Sequence, residues 1–229
     1  KDNIAREYCQ HLFLSRFYRQ NGTGKIAFKG GTALRLLWQS PRFSEDLDFS
    51  GAKMPQSEME DILQAVLIEL EREGLTTDIE ESKSTTGGYL GRLLFDWDTL
   101  SVVLQIEISH RKSRIHAIQT LVRSDWIPPY PVLHLAEQEM VREKMAALLG
   151  RGKPRDFFDL YFILRSRKGT LLFREDKGLK KKILDKLHKT VTDSSYLREL
   201  RQFLPASLHT LLKNFPSMVE REIEWASPD

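Results

Sequence analysis

Apolar positions in residues 2–20 recur at helical spacing, with Ile4, Tyr8, Leu12 and Phe13 on one face and Leu14, Phe17 and Tyr18 broadening it. That pattern predicts an amphipathic helix packed under a sheet, in preference to a docking face for a partner. The turn Asn21-Gly22-Thr23-Gly24 closes it. The run Ile26-Ala27-Phe28 then reads as a short strand, Gly30-Gly31 breaks it, and residues 32–38 (TALRLLW) form a helix. Asp46-Leu47-Asp48-Phe49 alternates with period two, so a strand there puts both aspartates on one face and turns Leu47 and Phe49 to the core. Residues 57–73 predict a helix with a capping-box start, Ser57 to Glu60, and a stop at Gly74. Strands follow over 75–82, 89–97 and 100–109, the last two joined by a hairpin at Asp98-Thr99. In the third, Leu104, Ile106 and Ile108 point one way, and Gln105, Glu107 and Ser109 the other.

Beyond residue 126 the pattern changes. Trp126-Ile127-Pro128-Pro129-Tyr130-Pro131 reads as a proline-rich linker. Helical periods follow over 134–149, which stops at Gly150, and over 155–166, after a turn at Arg151-Gly152-Lys153-Pro154. Two more helices fill 193–225, punctuated by Pro205 and Pro216. The fold class is therefore α/β (α+β), with an α/β lobe over 1–127 and an all-helical lobe over 128–229. No internal repeat stands out.

A chain of 229 residues, 41% hydrophobic and 29% charged, has the composition of a globular protein able to bury a core. One cysteine, Cys9, excludes an internal disulfide framework, and no apolar run is long enough to cross a bilayer. A cytoplasmic protein without a membrane partner is expected. A net charge of +3 does not by itself demand a nucleic-acid partner.

The chemistry concentrates in residues 28–50. A strand, a glycine turn and a helix start bring free backbone N–H groups and the positive helix end to one point, which suits a phosphate. Asp46 and Asp48 follow directly, and two neighbouring carboxylates are costly to keep ionised without a counter-charge. A divalent cation supplies that charge, and oxygen ligands select Mg²⁺ or Mn²⁺. A phosphate cradle feeding into a metal-binding carboxylate pair is what phosphoryl or nucleotidyl transfer needs.

The pattern Gly30-Gly31-Thr32, a short helix, then Arg42-x-Ser44-x-Asp46-x-Asp48-Phe49 resembles the AbiEii-type nucleotidyltransferases. These are toxins of abortive-infection and type IV toxin–antitoxin systems, within the polymerase-beta-like nucleotidyltransferase superfamily. A second segment, EKMAALLGRGKPRDFFDLYFIL, resembles that family's other signature, in which a helix lysine and an aspartate carry catalytic weight. They map to Lys144 and Asp156. The resemblance implies a nucleoside triphosphate (NTP) substrate with Mg²⁺, an RNA acceptor such as the tRNA 3′ end, and a separately encoded antitoxin. It implies a small mixed sheet in the first lobe and a helical lobe that completes the active-site cleft. Gly30, Gly31 and Thr32 would hold the triphosphate, and Arg42 would anchor phosphate or brace the aspartates.

Glu107, facing away from the apolar side of its strand, is the candidate third metal carboxylate beside Asp46 and Asp48; the bland alternative is a solvent-facing strand glutamate. Asp96 and Asp98 compete with it but lie near a turn. Lys144 would neutralise triphosphate charge, where a snorkelling surface lysine is the alternative. Asp156 would orient Lys144 or Arg155 or position the acceptor hydroxyl, and Asp159 is taken as structural or secondary. Two basic stretches remain. Residues 110–116 (HRKSRIH) could meet phosphates at the rim of the site. From Arg165 to Lys189 ten basic residues stand against three acidic ones, a possible phosphate track for RNA or an ordinary solvated helix face. The competing functions are transfer to a protein or small-molecule hydroxyl, and a catalytically silent binding module.

Overall fold

The computed structural model describes residues 2–97, 100–111, 115–169, 173, 178–191 and 195–226. The expected hairpin turn at Asp98-Thr99 and the basic residues Lys112, Arg114, Arg174 and Lys177 lie outside them. Two compact units emerge: residues 1–39 with 43–136, and residues 40–42 with 137–229.

The first unit contains a mixed sheet whose seven strands, among the described residues, run in the order β3-β4-β5-β2-β1-β7-β6. In chain order its elements are α1 (Asp2–Phe17), β1 (Ile26–Lys29), α2 (Gly30–Trp38), β2 (Leu47–Gly51), α3 (Gln56–Arg72), β3 (Thr76–Thr85), β4 (Gly88–Trp97), β5 (Leu100–His110), β6 (Ala117–Val122) and β7 (Tyr130–Leu135). β2 pairs antiparallel with β1 and parallel with β5. Helix α1 packs on the apolar side, where Phe13, Phe17, Phe49 and Phe28 form a chain of rings with successive centroids 5.2, 5.2 and 5.5 Å apart. Each such ring, fully buried, contributes about 1.5–3 kcal/mol. The expected docking-or-packing face of α1 thus packs, although Ile4 at its start stays exposed.

Two sequence expectations give way here. The proline-rich stretch leads straight into β7, which pairs antiparallel with β6 and touches β1 in parallel at Phe28 and His134. Pro131 is tolerated because it lies before that parallel contact, and the break between units comes at residue 137. The capping box at Ser57 does not form. The helix starts one residue earlier at Gln56, and Glu60 instead accepts hydrogen bonds from Gln56 Nε2 (2.8 Å) and Ser82 Oγ (2.5 Å).

In the same unit His11 is buried and shares a 2.7 Å hydrogen bond between its Nδ1 and the Tyr130 hydroxyl. Burial, then the nearby Arg35 cation, lower its pKa to about 4 against a smaller opposing pull from Asp125.

The second unit is helical: α4 (Glu137–Gly150), α5 (Pro154–Arg165), α6 (Leu179–Val191), α7 (Ser195–Gln202), a 3₁₀ segment (Ala206–Asn214) and α8 (Phe215–Ala226). Leu148, Phe157, Ile183, Leu187, Leu200, Val219 and Ile223 are fully buried within its core.

Candidate active site

The glycine turn and the carboxylate strand meet physically. Gly30 opens α2 with φ +84°, a left-handed conformation that an L side chain adopts only at a cost. A Cβ at Gly30 would also lie 2.0 Å from Asp48 Oδ2 and 2.7 Å from Asp48 Cγ. Glycine is therefore required twice, for its backbone and for the approach of the Asp48 carboxylate. The first N–H groups of α2 lack intrahelical acceptors by construction, so the carboxylate sits against the positive end of a helix.

Across the sheet, Asp48 is the register partner of Lys29 on β1 and of Glu107 on β5. Opposed residues share a sheet face, so Lys29, Asp48 and Glu107 form a row across three adjacent strands. Ser50 and Ser109 form the next row; Lys29 Nζ donates to Ser109 Oγ (3.3 Å) and Arg111 Nε to Ser50 Oγ (3.1 Å). Arg111 is the member of the 110–116 basic stretch that this face receives among the described residues. Glu107 is exposed and accepts a 2.6 Å hydrogen bond from Gln105 Nε2. Asp46 precedes β2, and its loop is held by buried Gln10, whose Nε2 donates to the carbonyls of Ser44 (2.9 Å) and Glu45 (3.1 Å).

Thr32 differs from expectation. It is fully buried, and its hydroxyl donates to the Asp46 carbonyl at 2.5 Å. A hydroxyl has one proton to donate, so this threonine fixes the backbone of the carboxylate strand and does not offer that proton to a phosphate.

In the helical unit, Arg42 makes a buried ion pair. It is 3% exposed and forks onto Asp159, with Nε to Oδ1 at 2.7 Å and Nη2 to Oδ2 at 3.0 Å. Arg42 thus braces a carboxylate of α5, Asp159. Lys144 Nζ donates to the same carboxylate at 2.8 Å, so its partner is Asp159, one helical turn beyond Asp156. Burial pushes the Asp159 carboxyl up, but Arg42 and Lys144 outweigh it and hold the group at about 2. Asp156 serves α5 and the turn before it: it accepts from Arg151 (2.8 and 3.0 Å) and from the Lys153 backbone N–H (2.9 Å). The basic run is partly spent as well. Lys168 pairs with Glu137, and Lys186 donates to the carbonyls of Leu149 and Gly150 at the end of α4. No helix among the described residues is long and apolar enough to cross a membrane.

Among the described residues no three His, Cys, Asp or Glu side chains are gathered to hold a metal ion unaided. The donor set is nevertheless of the right kind for Mg²⁺, which commonly takes one or two carboxylates and completes its shell with water and substrate phosphates. Asp48 beside Glu107, with Asp46 just before the strand, fits a metal that arrives with a triphosphate.

A glycine turn packed on a carboxylate strand, in a mixed sheet followed by helices, defines an enzyme of the nucleotidyltransferase class. The family model described as "Nucleotidyl transferase AbiEii toxin, Type IV TA system" matches residues 12–221, and the chain belongs to that family. Two solved structures share the fold. A candidate nucleotidyltransferase from H. pylori is 18% identical with a TM-score of 0.64, covering 99% of this chain and 95% of its own. JHP933 from Helicobacter pylori is 19% identical with a TM-score of 0.63, covering 99% and 92%. No curated protein sequence matches.

Proposed function

We propose that this nucleotidyltransferase uses Mg²⁺ to transfer a nucleotide from an NTP to an RNA, with the tRNA 3′ end as acceptor, and that it acts as a cytoplasmic toxin restrained by a separately encoded antitoxin. The observation that carries the reading is the contact between Gly30 and Asp48, with Glu107 in register beside it. Triphosphate oxygens would be received by the N–H groups of Gly30 and Gly31, whose conformation brings them beside the carboxylate. Asp46 and Asp48, joined by Glu107, would hold the metal, which supplies charge neutralisation on the phosphates and lowers the pKa of the acceptor hydroxyl. Lys144 and Asp156 keep the catalytic weight that the family signature gives them. In this reading Arg42 and Asp159 act behind Lys144, fixing where its ammonium points. The test is transfer of labelled nucleotide from each of the four NTPs to total tRNA with Mg²⁺, with wild type beside Asp48→Ala. Label on tRNA with wild type alone is the expected result. No label from any NTP, with Mg²⁺-NTP still bound, would end the tRNA reading and point to a protein acceptor.

A further inference from the structure

The helical unit carries a second built feature, at the end of α5. A surface cavity of about 240 Å³ is lined by Leu164, Arg165, Arg167, Arg221, Glu222 and Trp225. Trp225 is 51% exposed, an unusual state for an indole, and the Arg167 guanidinium lies over its ring with Cζ 4.7 Å from the centroid. Arg167 occupies a helix end that ordinarily selects glycine. Its N–H donates to the Leu164 carbonyl (2.9 Å) and that of Lys168 to the Ile163 carbonyl (3.1 Å), the paired closure of a Schellman motif, and its φ is +57°. A side chain there costs roughly 1 kcal/mol against glycine, and what the arginine gains is its stacking on Trp225. Arg221 stands one turn before Trp225 on α8 and has no ion-pair partner among the described residues. Arg165 pairs with Glu222 at 3.2 Å, so the rim holds three guanidinium groups against one carboxylate.

The geometry points to this cavity as a subsite for single-stranded RNA, with one base stacked on Trp225 and the flanking phosphates on Arg221 and Arg165; it rests on RNA being the acceptor. The exposed indole would be idle toward a free phosphate, and the guanidinium groups would repel a basic peptide and lose hydration against an apolar one. A duplex offers phosphates but keeps its base faces stacked. A single strand presents both chemistries at this spacing, and aromatic stacking with arginine support tolerates any base.

The experiment is fluorescence anisotropy of a labelled mixed-sequence oligoribonucleotide with the full chain, without metal or NTP. Its comparators are the same sequence as a duplex and a polyglutamate peptide. Trp225→Ala should weaken single-strand binding about tenfold, within the range of one lost stacking contact. Trp225→Phe should restore most of it, which a merely structural tryptophan would not require. Arg221→Gln should lower the salt dependence of the logarithm of binding by about one contact. The inference is overturned if Trp225→Ala binds normally, or if the duplex or polyglutamate binds as well as the single strand. Trp225-dependent binding without transfer to any RNA would uphold the subsite while removing the proposed function. Transfer to RNA by Trp225→Ala at wild-type affinity would do the reverse.

Discussion

Asp159→Asn is the substitution with the largest expected cost. It replaces a buried carboxylate by an amide and takes the Asp159 charge away from Arg42, whose side chain is 4% exposed. The fall in the Asp159 pKa from 3.8 to about 2 corresponds to roughly 2–3 kcal/mol at ~1.4 kcal/mol per pH unit. Removing one partner of a buried ion pair costs about 3–5 kcal/mol, which sets the ceiling. Against a total stability of about 5–15 kcal/mol this is a large share. Asp156→Asn is the matched control. Its partner Arg151 is 48% exposed, and an asparagine oxygen still accepts the Lys153 N–H, so about 1 kcal/mol is expected. Urea unfolding followed by far-ultraviolet circular dichroism, at constant salt, measures both. Equal losses from the two variants, or a loss below about 1 kcal/mol for Asp159→Asn, would show that the Arg42–Asp159–Lys144 group is solvated and not a buried brace.

Three further outcomes are expected. Gly30→Ala should abolish nucleotide transfer, because strain and a 2.0 Å collision with Asp48 Oδ2 coincide; Gly74→Ala, at φ +92° in open space, should cost about 1 kcal/mol of stability and leave transfer intact. Equal activity of the two would refute the contact argument. By calorimetry, Mg²⁺ alone should bind weakly and Mg²⁺ with an NTP much more tightly, with Asp48→Asn removing the difference; tight binding of Mg²⁺ alone would reveal a complete protein cage. His11 titrates near 4 when folded and near 6.5 when unfolded, so the unfolded chain takes up the proton first on acidification. Stability should fall as pH drops from 6.5 to 4, by about 3 kcal/mol, and His11→Gln should lose that part of the slope in unfolding measured across the window.

Where residues carry their own local signal, sequence and structure agree. The Gly30-Gly31 break, the alternation in β2 and the apolar side of β5 by themselves put Asp48, Glu107 and the glycine turn on neighbouring elements. The two strands at the β6 end of the sheet carry no such signal. Residues 117–122 form an edge strand that is exposed up to Val122, so burial imposes no alternation on it, and prolines 128, 129 and 131 give β7 the look of a linker. Thr32 looks like a ligand because its hydroxyl follows the glycines; only the tertiary position of the Asp46 carbonyl shows where that proton goes. Arg42 and Asp159 are 117 residues apart, and no periodicity links positions at that distance. Likewise, the charge count over residues 165–189 could not tell that Lys186 closes α4.

The excursion of residues 40–42 into the helical unit makes that unit discontinuous along the chain. During synthesis at about 5–20 residues per second, the Arg42 guanidinium emerges on the order of ten seconds before the carboxylate it will neutralise. The brace therefore belongs to the late steps of folding, after a long loop has closed. A fragment beginning at Glu137 would carry Asp159 and Lys144 without Arg42, so the helical unit cannot be separated by a single cut without leaving its buried carboxylate short of one cation.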